Sequence, residues 1–462
     1  MMHFKLSAAA FGALLLCGSA AAQEDRPAYV KALAAGYKAS FLCSNLFNGG
    51  LSEQQTEADD LRGTYSNLNP LFPTLAASVD RQRKIVSVSY GQAMPPRIAV
   101  WRPSLGCAQL PIGATMDAAD ALPRIGVTPP NLDSQPWPTG DRNAAGPARG
   151  DIPLMRRVVD GAFDRRTYGQ GSETTALLIV QNGRIVSERY RPDFNMHSSQ
   201  RTWSVGKSIA GTVIGAGVQK GLIEVAAPAP VPEWRRPGDP RQRITTDQLL
   251  RMASGLHSDH AGNRTDALYF GGVGVADQAA GWPLVAEPGT VFRYANNDTV
   301  LAIRGLQHVL GDGEKSLRFP FEALLWKIGM TRTVPETDWR GHFVMSSQVW
   351  TTARDLARLG LLHLNDGTWQ GERILPAGWR DYVRTHGSAQ PASGYGYGAT
   401  WWTFPRDSGL PQDAIVAQGN RGQYVVVVPS RSLVIVRRGF DGSGMNFDLT
   451  RFTKDLLSAF PS

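Results

Sequence analysis

The chain predicts an α+β fold, an antiparallel sheet drawn from both ends of a domain and flanked by a helical subdomain, with a small N-terminal region in front. Three observations carry this. Apolar, strand-like runs at 175–180 and 184–190 flank Gln181-Asn182-Gly183, a hairpin signal. Helical patterning fills the middle of the chain, at 298–310 and 353–364 among other places. The end then returns to strands at 394–403, where Gly and Tyr alternate, at 423–428 and at 432–437. Strands, helices and strands again imply one sheet with a helical insertion. The 462 residues suit one large or two modest domains and show no internal repeat.

Taken in order, residues 1–22 read as a signal peptide. His3 and Lys5 precede an apolar run at 6–16, and Ala20-Ala21-Ala22 stands before Gln23 as a small-residue cleavage site. Lipid attachment at Cys17 fits less well, because Leu16 fills a position that should be small. No stretch is long enough to span a bilayer. The expectation is a periplasmic or secreted protein with no membrane span. Removal of the leader leaves Cys43 and Cys107, an even pair in an oxidising compartment, and predicts a disulfide between them. Two buried free thiols are the alternative.

Residues 29–47 predict a helix, and 83–101 predict short strands around Pro95-Pro96. From 121 to 153 the composition shifts to Pro, Gly, Asp and Asn, the mark of a linker or of an extended strap across another domain. A boundary near 150 separates an N-terminal region, 23–150, from a main domain, 151–462. That domain opens with a helix at 151–167. Later, Thr245 and Gln248 form a capping pattern for a helix ending at Gly255. The net charge of +8 is spread along the chain without a basic run, which argues against a nucleic-acid partner.

The chemistry centres on 203–221. Ser204 and Lys207 lie three apart at the head of an apolar run that Gly221 closes as a helix C-cap would. Positions i and i+3 share a helix face, so hydroxyl and amine can touch. A serine hydroxyl needs a partner to take its proton, and a helix start offers free amides and a dipole that disfavours Lys⁺. The bland alternative is a surface lysine with Ser204 as N-cap. A second candidate is Tyr294-Ala295-Asn296, in a polar turn before a helical pattern, where Tyr294 acts as a base only beside a cation. A third is Gly419-Asn420-Arg421-Gly422-Gln423, read as opening the strand at 424–428, where a free amide could complete an oxyanion hole. His257 and His260 have metal-like spacing without a third ligand cluster, so the reading is a loop and no metal.

These three motifs, in this order, resemble the serine β-lactamase-like family: class C β-lactamases, D-Ala-D-Ala carboxypeptidases, related esterases and 6-aminohexanoate-dimer (nylon oligomer) hydrolases. The resemblance covers about 151–460 and is supported by the stretches 244–256 and 351–376. It implies a β-lactamase/transpeptidase-like fold and a serine hydrolase that needs no cofactor. Ser204 would be the acylated nucleophile, Lys207 its proton acceptor, and Tyr294 a partner base and later acid. Asn296 would orient a substrate amide or Lys207, and Gly419-Asn420 would supply the second oxyanion amide. One departure matters. Where β-lactamases and carboxypeptidases carry Lys or His, this chain has Ala417-Gln418-Gly419. That points to a small amide or ester rather than a β-lactam or peptidoglycan. The Gly-x-x-Gly-Gln form and Trp203 before Ser204 look closest to the nylon-oligomer branch. The alternatives are a β-lactamase or carboxypeptidase, or a non-catalytic binding or sensor module on the same fold.

Overall fold

A computed structural model describes residues 17–258, 269–392 and 394–460, with side chains from residue 27 onward. Most of the segment read as a leader, residues 1–16 of 1–22, lies outside the described residues. Helix α1 (Cys17–Ser44) passes into a π turn at Asn45–Gly49 that Gly50 closes in the left-handed region. Nearly every α1 side chain from Ala32 to Cys43 is buried, as befits a helix lying between two bodies. Its one buried cation, Lys38, donates to the carbonyls of Phe72 and Leu75, both at 3.0 Å. Helix α2 (Glu53–Asp59) starts from a Ser52/Gln55 capping box.

Strands β1 (Ala77–Asp80), β2 (Ile85–Val88), β3 (Arg97–Arg102) and β4 (Gly106–Gln109) form an antiparallel meander packed on α1. The Cys43–Cys107 disulfide joins helix to sheet, with Cα atoms 6.2 Å apart. The Pro/Gly-rich segment that follows is a strap and not a free linker. Trp137 is buried, and the Arg358 guanidinium donates to the carbonyls of Pro138 and Gly140, each at 2.7 Å, and to Asp141 at 2.8 Å.

The main domain opens with α3 (Ile152–Phe163), capped by Asp151. Strands β5 (Thr174–Gln181) and β6 (Arg184–Tyr190) turn through Asn182 and Gly183 with φ of 49° and 77°, as the Asn-Gly pair predicts. Helix α4 (Val205–Gln219) ends with Gly221 in the left-handed region. Helix α5 (Thr246–Leu250) has the predicted Thr245/Gln248 capping box but stops well short of Gly255, because Met252 already takes a φ of 58°. Helices α6 (Asn296–Val309) and α7 (Ala353–Leu364) match the predicted patterns.

The C-terminal strands differ in detail. The predicted 394–403 strand is two short pieces, β7 (Gly396–Tyr397) and β8 (Trp402–Thr403), which reverse through a bond from the Gly398 amide to the Trp401 carbonyl. Strand β9 (Ile415–Gly419) was not predicted, since its apolar stretch is only a few residues long behind Pro411. Strands β10 (Gln423–Val428) and β11 (Leu433–Gly439) and helix α8 (Leu449–Ser458) complete the domain.

The sheet order is β7-β8-β9-β10-β11-β5-β6, antiparallel throughout, with both chain ends meeting at the β11–β5 pair. Alternation along β5 splits its side chains between two cores. Leu177 and Ile179 meet Val158 of α3 and Phe452 and Leu456 of α8. Leu178 and Val180 join the large core that also holds α4, α7 and α1. The N-terminal region therefore shares the core that supports the main domain.

The disulfide closes a 64-residue separation, so its loss should destabilise the protein by about 2–4 kcal/mol. Chemical denaturation of wild type and Cys43→Ala, paired with intact mass before and after reduction, measures this. Equal midpoints or two free thiols would refute it.

Candidate active site

Ser204 stands at the N-terminus of α4, presented by a backbone kink: Trp203, immediately before it, has a φ of 49°. A bulky residue in the left-handed region is strained and persists only when its surroundings hold it. Here the Trp203 indole is buried beneath the Arg201 guanidinium, 3.8 Å from its centroid, and against Phe41 of α1 and Tyr65. The Ser204 hydroxyl makes no capping bond to α4. It faces the lysine one turn on.

Lys207 is 1% exposed, which removes the surface-lysine alternative. Its Nζ donates to Asn296 Oδ1 at 2.6 Å and to the Ser346 carbonyl at 3.0 Å, and lies 3.2 Å from Ser204 Oγ. A neutral amine has two N–H bonds and one lone pair. With both N–H groups committed, the lone pair is left for the serine proton. Burial, aided by the charge of Arg201 and opposed by that of Asp298, pulls Lys207 down to about 7.

The Tyr294 phenol hydrogen-bonds Ser204 and Trp402, and its ring centroid lies 4.9 Å from Lys207 Nζ. Desolvation raises its pKa above the usual 10, more than the Ser204 bond lowers it. The hydroxyl therefore holds its proton more tightly than a free phenol, which suits the acid half of the role expected for it. Asn296, the first residue of α6, is turned to Lys207, one of the two orientations considered for it.

The third motif occupies a different place from the one expected. Ala417-Gln418-Gly419 closes β9 instead of opening β10, and Asn420–Gly422 turn between the two strands, with φ of 59° at Arg421 and 78° at Gly422. Gly419 runs hard against the nucleophile: a Cβ there would sit 2.4 Å from the Thr202 carbonyl and 3.1 Å from the amides of Ser204 and Val205. Among the described residues, the amides of Ser204 and Asn420 make no hydrogen bond, so both are available to an oxyanion.

The cleft over Ser204 has a volume of about 370 Å³. Thr64, Gln418, Asn420, Ser443 and Asn446 give it a wall of hydroxyls and amides. Its charges are committed elsewhere. Arg421 pairs with Asp60 at 3.1 Å, and Asp441 takes a bidentate bond from Arg437 at 2.8 and 2.9 Å. Gln418 Nε2 is buried without a partner among the described residues.

Sequence reasoning missed Arg201 and Asp298. Asp298 is buried in the first turn of α6, accepts from Ser254 Oγ at 2.9 Å, and is raised to about 7 by desolvation. An acid inside an otherwise apolar helical pattern was the available signal. His257 rests edge-on to Trp282, while His260 lies outside the described residues; among these no cluster of three potential metal ligands occurs.

A serine, a desolvated lysine and a phenol converging beneath two free amides define a class, the serine hydrolases with a Ser-x-x-Lys nucleophile. The Beta-lactamase family model matches residues 159–437, and the chain belongs to that family. It is a β-lactamase-related serine hydrolase. The 6-aminohexanoate-dimer hydrolase of Paenarthrobacter ureafaciens is 28% identical over 299 residues, which is 57% of this chain and 72% of that one. The fold is shared with a 6-aminohexanoate-dimer hydrolase candidate from Bacillus anthracis, at a TM-score of 0.53 and 22% identity, over 73% of this chain and 87% of that one. It is shared also with a family VIII carboxylesterase, at 0.53 and 17%, over 68% and 98% of the two chains.

Gly419→Ala tests the close approach of β9 to the nucleophile. Neither backbone group it would strike can yield without moving the strand or the helix. We expect kcat/KM to fall by about 10²-fold, as when an oxyanion donor is lost, with a stability loss of about 1–3 kcal/mol. Wild-type kinetics would show that this contact does not align the site.

Proposed function

We propose that the protein is an exported hydrolase that cleaves a small neutral amide or ester through an acyl-enzyme on Ser204. The observation that carries this is the position of Lys207 Nζ, 3.2 Å from Ser204 Oγ and held by Asn296 Oδ1 and the Ser346 carbonyl, so that the neutral amine keeps its lone pair for the serine. Neutral Lys207 takes the Ser204 proton as Oγ attacks the substrate carbonyl carbon. The carbonyl π electrons move to oxygen, the Ser204 and Asn420 amides donate hydrogen bonds to that oxyanion, and its electrons re-form the carbonyl when the leaving group departs. As the C–N or C–O bond breaks, Tyr294 donates its proton to the leaving group, and the Lys207 ammonium restores it. Water then attacks the acyl carbon by the same route in reverse and frees Ser204.

Two observations support a neutral substrate. The position of the relatives' cation is Ala417-Gln418-Gly419, and Arg421, the nearest replacement, is bound to Asp60. The unpartnered Gln418 amide and its polar neighbours suit a carbonyl or hydroxyl on the substrate. The relative named for a 6-aminohexanoate dimer, whose scissile bond is an amide, supports the amide half of the reading. Export is supported by the 1–22 pattern and by the Cys43–Cys107 bond.

Fluorophosphonate labelling at Ser204, abolished in Ser204→Ala together with turnover, tests the nucleophile. A variant that kept wild-type turnover would remove the assignment. Because Lys207 must be unprotonated, kcat/KM on a neutral ester should rise with pH through about 7 and then level off. A flat profile between about pH 5 and 9 would contradict a lysine base. Charge-assisted bonds to a bound carboxylate contribute about 1.5–3 kcal/mol. Their absence should leave nitrocefin about 10–100-fold poorer in kcat/KM than a short p-nitrophenyl ester, and comparable efficiency on both would overturn the preference.

A further inference from the structure

The family match begins at residue 159, yet the N-terminal region reaches into the catalytic cleft. Gly63 and Thr64 line it, and the Gly63 carbonyl accepts from the Ser443 amide at 2.9 Å on the opposite rim. The deeper connection runs through Asp60. This carboxylate, 2% exposed, binds the Arg421 guanidinium at 3.1 Å, while its other oxygen accepts from Asn45 Nδ2 at 2.8 Å. Arg421 also donates to the carbonyls of Asp441 at 3.2 Å and Phe440 at 3.1 Å, so its buried head is held from several sides. Its backbone sits in the left-handed region, and its own amide donates to Asn420 Oδ1 at 2.9 Å.

We propose that Asp60 is a positioning residue for catalysis: by anchoring Arg421 it fixes the Asn420–Gly422 turn so that the Asn420 amide points at the carbonyl attacked by Ser204. The N-terminal region is thus a working part of the active site. Arginine in the left-handed region is strained, and a turn so strained keeps one conformation only while something outside it holds the side chain. Asn45 follows the disulfide-bonded Cys43 by two residues, so the anchor is itself tied to the N-terminal sheet. The argument rests on the acyl-enzyme reading of Ser204.

The test compares full-length wild type with Asp60→Asn, Asp60→Glu and Asp59→Asn, with kcat expressed per site labelled by fluorophosphonate, so that unfolded protein is not counted. Asp59 is the matched control, since it neighbours Asp60 but pairs with Arg191 and not with Arg421. Asp60→Asn should lower kcat by about tenfold or more with KM within about threefold, because a donor that drifts affects the transition state and not substrate capture. Asp60→Glu should recover part of that loss, and Asp59→Asn should keep wild-type kcat. Wild-type kcat in labelled Asp60→Asn, or an equal loss in Asp59→Asn, would overturn the proposal. If Asp60→Asn does not fold, Asn45→Ala leaves the ion pair but frees one carboxylate oxygen: a kcat drop of about threefold or more supports the proposal and an unchanged kcat overturns it. Failure of wild type to label at Ser204 would instead refute the acyl-enzyme reading.

Discussion

The desolvation of Lys207 is the constraint on which the rest of the site depends. An ammonium removed from water without a fully compensating anion loses its proton, and the surroundings of Nζ are arranged to that end. Two acceptors, Asn296 Oδ1 and the Ser346 carbonyl, hold the amine without neutralising it. Arg201 adds an unfavourable positive charge, and buried Asp298 opposes this only in part. A closer, fully ionised carboxylate would hold Lys207 protonated and leave Ser204 without a base. On the proposed reading this half-compensated environment serves the reaction, and an amide rather than an acid supplies the nearest side-chain contact.

Keeping such a lysine dry requires packing on every side, and that requirement reaches the N-terminal region. Trp203 takes a strained φ to present Ser204 and is held by Arg201, Phe41 and Tyr65. Phe41 belongs to α1, whose burial in turn needs the β1–β4 meander on its far side. Strain at Trp203 is thus balanced by aromatic packing from far earlier in the chain, and the disulfide keeps α1, which supplies Phe41, in place.

What could be read from the sequence followed the range of the interaction. The i,i+3 spacing of Ser204 and Lys207, the Asn182-Gly183 turn and the Thr245/Gln248 capping box are local, and each stands as read. The position of β9 was not legible, because a handful of apolar residues between Pro411 and Gly419 looks no different from a loop. The strap was half legible: composition excluded helix and strand, but contacts that pin it come from distant residues such as Arg332, Arg354 and Arg358. Asp60 and Arg201 left no signal, since their roles exist only once distant segments meet. Tyr294 was legible as a candidate but its burial was not, because burial is a tertiary property.

The same distinction bears on how one fold accommodates different substrates. Ser204 and Lys207 are set by α4, which the large core holds, and β9 packs against them through Gly419. The cleft wall comes from connections: the loop carrying Gly63 and Thr64, the Asn420–Gly422 turn and the glycine-rich stretch around Ser443. Charges in that wall are neutralised by partners within the protein, Arg421 by Asp60 and Asp441 by Arg437, so they shape the loops without attracting an ionic ligand. A buried ion pair adds little net stability but strongly penalises the loss of one partner. Exchanging Arg421 for substrate recognition would therefore require changing Asp60 of the N-terminal region as well. On the proposed reading, substrate preference is in this way coupled to a part of the chain that the family match does not cover.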